Sequence, residues 1–157
     1  MSRHILVLSV LASVIASPAA AHEVLVGAIT VEHPWTRAIA KGAPTAVGYM
    51  NFRNAGATAA RLVGATTPAA RTVEIHETTA TDGIMRMRPV PQGVAIPAGG
   101  MVELAPNGTH LMLIGPSDGF TKGQRVALTL RFEVAGDVVV EMVVEGPGAR
   151  QSTHDGH

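Results

Sequence analysis

The sequence predicts an all-β domain, an antiparallel Greek-key sandwich or barrel. Three observations carry that prediction. About ten short segments rich in Val, Ile, Leu and Thr follow one another at close spacing. Turn-forming residues bound them, in groups such as NAG, TDG, PQG, PAGG, PNG, TKG and AGD. Past the first 21 residues, no window repeats its apolar residues with the 3.6-residue period of a helix. Many short, evenly punctuated strands are the pattern of sandwiches and barrels.

The elements follow in chain order. Residues 1–21 begin with Arg3 and His4, continue through an apolar run from Ile5 to Ile15 and end in Ala19, Ala20 and Ala21. That is the layout of a secretory signal peptide, and the run falls short of the roughly 20 apolar residues of a membrane helix. Cleavage is expected after Ala21, which makes His22 the first residue of the mature chain. No later segment approaches roughly 18 consecutive apolar residues, so no membrane insertion is expected after cleavage. Strands are expected over 24–31, 46–54, 60–66, 72–78, 84–90, 94–96, 101–104, 110–115, 125–134 and 138–146. The alternation is cleanest in 125–134, where Val126, Leu128, Leu130 and Phe132 oppose Ala127, Thr129, Arg131 and Glu133. Residues 32–45 read as a long irregular connection carrying the single tryptophan, Trp35. The domain is expected over 22–146, and 147–157 as a polar, flexible tail with two histidines.

Composition excludes several functions. Without Arg3, 11 basic side chains stand against 12 acidic ones, a formal net charge of −1. There is no basic run and no aromatic platform, so no nucleic-acid partner is expected. The absence of cysteine removes a disulfide scaffold and the thiolate that a blue-copper electron carrier needs. There is no G-x-S-x-G, no phosphate-cradling glycine loop and no C-x-x-C. His76-Glu77 opens like the zinc motif H-E-x-x-H, but Ala80 stands where the second histidine belongs.

Alternation decides which polar side chains leave the core. In 72–76 (TVEIH), Val73 and Ile75 share one face, so Glu74 and His76 take the other. In 110–113 (HLML), Leu111 and Leu113 are the core pair, so His110 and Met112 project together on the opposite face. Met85 and Met87 share a face of their strand, with Arg86 and Arg88 on the other. Thioether and imidazole together suit Cu(I), whereas zinc favours thiolate, imidazole and carboxylate. Methionine is also a common gap-filler in cores, and spacing alone leaves both readings open.

The ordered set His76, Met87, His110 and Met112 resembles the PCu(A)C family of periplasmic copper chaperones. The flanking text agrees: HPWTRA at 33–38, EIHE at 74–77, GIMRMRPV at 83–90, PAGG at 97–100 and LTLRFEVAGDVVV at 128–140. The resemblance covers roughly Gly27 to Val144. Some family members carry a methionine directly after the first histidine, where Glu77 stands here. The resemblance implies a cupredoxin-like β-sandwich, periplasmic and monomeric, that is not an enzyme. It implies Cu(I) held by His76, Met87, His110 and Met112, with Met85 replacing Met87 if the register differs by two. Delivery to the Cu(A) centre of cytochrome c oxidase is implied too, through its subunit II directly or through another copper chaperone.

Around these ligands, Glu74 and Glu77 are candidates to orient His76, and Arg86 and Arg88 to steer an acidic partner. His154 and His157 resemble the histidine-bearing tails of some members, a possible secondary Cu(II) site. His22 with its α-amine offers a further Cu(II) chelate, which also opens a copper-dependent oxidase or monooxygenase as an alternative. His33, before Pro34, reads as structural. A metal-free Ig-like binding module is the remaining alternative.

Overall fold

The computed structural model describes residues 23–153. The expected signal peptide, His22, His154 and His157 lie outside the described residues. Among those described there is no helix, and eleven strands form. They are β1 (Glu23–Val26), β2 (Ile29–Arg37), β3 (Thr45–Asn54), β4 (Ala60–Thr66), β5 (Ala70–Thr81), β6 (Ile84–Pro89), β7 (Val94–Ile96), β8 (Met101–Leu104), β9 (Thr109–Pro116), β10 (Arg125–Phe132) and β11 (Gly136–Glu145).

Hydrogen bonding runs along the path β6-β5-β9-β3-β2-β11-β10-β4-β7, with β1 joined to β2 and β8 to β3. The path closes over a single core to give the expected cupredoxin-like β-sandwich. Leu111 and Leu113 of β9, Met50 and Phe52 of β3, Leu128 and Leu130 of β10 and Met142 of β11 are all at most 1% exposed and belong to that core. Phe52 meets Phe132 edge-on across it, with ring centroids 5.8 Å apart. Gly48 lets β3 approach the opposite layer, since a Cβ there would stand 3.0 Å from the Met142 sulfur. The ladders are antiparallel except that β11 runs parallel to β2, pairing Val143 with Trp35 and Glu145 with Arg37.

Two segments differ from the sequence expectation. The predicted strand 24–31 is two strands, because Gly27 turns the chain at a left-handed φ of 58°. The first six residues of the expected loop 32–45 belong instead to β2, which continues to Arg37. A bulge carries it past Pro34: His33 takes φ 49°, and the β2–β3 register shifts between Glu32 and Trp35. Two residues there oppose one, Met50, which switches the odd-numbered side chains from one face to the other. Ile29 and Val31 point into the core, whereas Trp35 and Arg37 point out of it on the side of Tyr49.

Of the tail 147–157, for which the sequence predicts flexibility, residues 147–153 are described, and they lie against the domain. Arg37 Nε donates to Ala149 O at 2.8 Å. The buried Glu145 carboxylate accepts from Ser152 Oγ, Thr153 N and Thr153 Oγ1 at 3.3, 2.9 and 2.8 Å.

Candidate metal-binding site

Register brings the candidate residues together. The β5–β6 turn is Asp82-Gly83, both with positive φ (53° and 75°), the two-residue hairpin geometry that matches strand twist. It pairs Thr78 with Met87 and Ala80 with Met85. Since β5 also pairs His76 with His110 and Glu74 with Met112, all four candidate ligands and Met85 share one face. A slip of one residue in β6 would exchange the methionines for Arg86 and Arg88. Met87 lies directly opposite Thr78 and two residues nearer His76 than Met85 does.

The two histidines are held in complementary ways. His76 Nε2 lies 2.7 Å from Glu74 Oε2. A carboxylate accepts, so this nitrogen carries the proton and Nδ1 is left with its lone pair in the neutral ring. His110 Nδ1 donates to Gly108 O at 3.0 Å, which leaves Nε2 as the bare nitrogen. Gly108 O also accepts from Thr78 N at 3.1 Å, tying the ring's anchor to β5. The bare atoms, His76 Nδ1 and His110 Nε2, are both buried without a hydrogen-bond partner. Buried polar nitrogens are normally paired, and leaving one unpaired costs about 1–3 kcal/mol. The ring centroids are 6.1 Å apart.

His110 faces away from the leucine core, as alternation predicts, yet it is only 3% exposed. Burial holds its imidazole below the usual 6.5; the hydrogen bond to Gly108 opposes that effect and His76 adds to it. Tyr49 flanks it with centroids 6.4 Å apart and stacks on Trp35 at 4.6 Å. Burial raises the Tyr49 phenol above its usual value against the pull of Arg37, whose guanidinium lies 5.5 Å over the ring. The methionines differ. Met112 is half-buried, whereas Met85 and Met87 are 54% and 51% exposed on the edge strand β6. The site is thus an imidazole floor, His110 buried and His76 partly buried, with an exposed thioether rim.

Other expectations divide. Glu74 does orient His76, but Glu77 pairs with Arg88 at 2.9 Å instead. Arg86 and Arg88 face away from the methionines. The arginines beside the site are Arg37 and Arg150, which line a cleft of about 730 Å3 with Tyr49, Thr78, Met85, Met87 and His110. Nothing local marks them in the sequence, although Pro34 inside an otherwise strand-like stretch is a bulge signal that bears on Arg37. His33 forms the bulge, a structural role. Among the described residues no three His, Cys, Asp or Glu side chains gather to hold a metal ion, so a metal on this face would need the thioethers as well.

Residues 29–144 match the family described as putative lipoprotein LpqE-like. The chain belongs to the LpqE-like family. A relative from Leifsonia xyli subsp. xyli, the putative lipoprotein Lxx21020, is 38% identical over 104 residues, covering 66% of this chain and 61% of that protein. The chain therefore spans under two thirds of that relative's length. Solved structures place this LpqE-like chain among PCuAC folds. The copper-bound PCuAC domain from PmoF2 is 32% identical with a TM-score of 0.69, over 80% of this chain and 99% of that one. The apo PCuAC domain from PmoF1 is 31% identical with a TM-score of 0.68, over 80% and 100%. The solution structure of CuI-DR1885 from Deinococcus radiodurans is 28% identical with a TM-score of 0.60, over 81% and 83%.

Proposed function

We propose that this protein is an exported, periplasmic copper carrier. It takes up Cu(I) on His76, His110, Met87 and Met112 and passes it on without turnover. The observation that carries this reading is the pair of buried, unpartnered imidazole nitrogens, His76 Nδ1 and His110 Nε2, each ring fixed by a hydrogen bond at its other nitrogen. Such outer hydrogen bonds set the tautomer and orientation of metal-binding histidines. Thioethers on the same face complete a soft donor set, which favours Cu(I) over zinc or hard cations. The copper-bound relatives named above lend support. Met85 is the reserve ligand, one pair further from the histidines.

The geometry suits transfer rather than storage. Copper is the cargo, held by four neutral side chains that leave the ion its single positive charge. His76 and His110 form the fixed floor; Met87, half-exposed on an edge strand, is the donor that an incoming thiolate displaces first. The acceptor we assign is the Cu(A) centre of cytochrome c oxidase, reached directly or through another copper chaperone. The secondary Cu(II) site expected at His22, His154 and His157 lies outside the described residues.

An anaerobic Cu(I) competition titration of residues 22–157 tests this, wild type beside Met87→Ala/Met112→Ala. One tight equivalent in the wild type, lost in the double variant, is the expected result. A wild type that fails to compete would sink the carrier reading and turn attention to a metal-free binding role.

A further inference from the structure

Resting on the carrier reading, we propose that the cleft beside the copper ligands is a docking site for an acidic segment of the protein that receives the ion. One wall of this cleft is cationic. Arg37 reaches it because the β2 bulge turns it outward, and it is held there over Tyr49 and by its bond to Ala149 O. Arg150, exposed, is brought alongside by the 147–153 segment, whose end is clasped by buried Glu145. The other wall is the thioether rim of Met85 and Met87. Among the described residues no Asp or Glu lines the cleft. Glu74 bonds His76 and Glu77 bonds Arg88, and Glu103 stands with Arg150 in the adjoining cleft around Trp35 rather than in this one. Two guanidiniums that never lose their charge therefore face a space with no negative charge of its own.

Loading sharpens the contrast. Four neutral donors do not cancel the charge of Cu(I), so the loaded cleft carries one more positive charge than the empty one. An acidic segment is drawn most strongly to the loaded protein and released more readily after the ion has left. Its carboxylates sit against Arg37 and Arg150 while its copper-binding group reaches the ion past β6, whose outer edge has no strand beside it among the described residues. Like charges on a partner would be rejected by the same wall.

Two synthetic acceptor peptides test this, sharing one pair of cysteines and differing in flanking glutamates or lysines. Wild type and Arg150→Glu are loaded with Cu(I), desalted and mixed with each peptide under argon, and the transfer rate is read by stopped flow. The ratio of acidic-peptide to basic-peptide rate is taken for each protein. Dividing the wild-type ratio by the Arg150→Glu ratio removes the peptides' own thiol reactivity. The expected quotient is about 10 or more at low salt, within the range that charge steering produces. It falls to about 1 in 1 M salt, where the screening length is about 3 Å. A quotient of about 1 at low salt, with both proteins loaded, overturns the docking proposal and leaves the carrier reading intact. A wild type that holds no copper after desalting removes both.

Discussion

Strands β9 and β6 serve the same face in opposite ways. β9 lies inside the sheet, bonded to β5 on one side and β3 on the other, and its His110 is 3% exposed. β6 is an edge strand, bonded only to β5, and every one of its residues is exposed. An inner strand can hold a ring to one tautomer and one orientation, because its anchor, Gly108 O, is itself tied to β5. An edge strand cannot fix its side chains so firmly, and its thioethers move at little cost. In the carrier reading proposed above, holding and releasing the ion are divided between strands rather than averaged over four equal ligands.

The hardest way to break this contrast is to remove the floor. Loss of a hydrogen-bond partner to a metal-binding histidine costs about 10–100-fold in affinity, so His110→Ala should weaken Cu(I) binding by at least about 100-fold in a competition titration. Glu74→Ala comes next, with an expected loss of about 10-fold through His76. Glu77→Ala, whose carboxylate serves Arg88, should leave affinity unchanged and thereby separates orientation from simple negative charge. At the rim, Met87→Leu conserves volume and should leave the melting temperature alone. It should speed copper release to a chelator by about 10-fold, roughly 1.4 kcal/mol, while Met85→Leu changes it much less. Equal effects of the two would show that Met87 has no special place.

The smallest expected effect is on the metal-free protein and concerns pH. Folding holds His110 neutral to a lower pH than its usual 6.5. Between the folded value and 6.5 the unfolded chain binds more protons, so stability is full above about 6.5 and falls as pH drops below it. Melting temperatures from pH 7.5 to 5 should show that decline, and a His110→Gln variant should show a shallower one.

Much of this face was legible because β-strand alternation is strict. Leu111 and Leu113 claim the core, and His110 and Met112 can then only leave it. The Asp82-Gly83 turn likewise announces the hairpin that sets Met87 opposite Thr78. What alternation could not supply was depth: His110 is buried on the outer face by Tyr49 and the neighbouring turn, a matter of tertiary cover rather than of period. Nor could it supply Arg37 and Arg150. The first depends on a bulge at a non-glycine residue in the left-handed region, and the second on Glu145 clasping a segment whose polarity suggests freedom. The Arg37–Ala149 contact that joins the two joins residues more than a hundred apart along the chain, beyond the reach of any local pattern.

The bulge at His33 and Pro34 also says where the length of this chain can change. A chain shorter by one residue at that point would pair β2 with β3 without interruption, and Trp35 would still face Tyr49. The same deletion at Thr36 would move Arg37 into the slot opposite Gly48 and drive a guanidinium toward Met142 in the core. One position in β2 is therefore open to insertion and deletion, and the residues directly after it are closed to both.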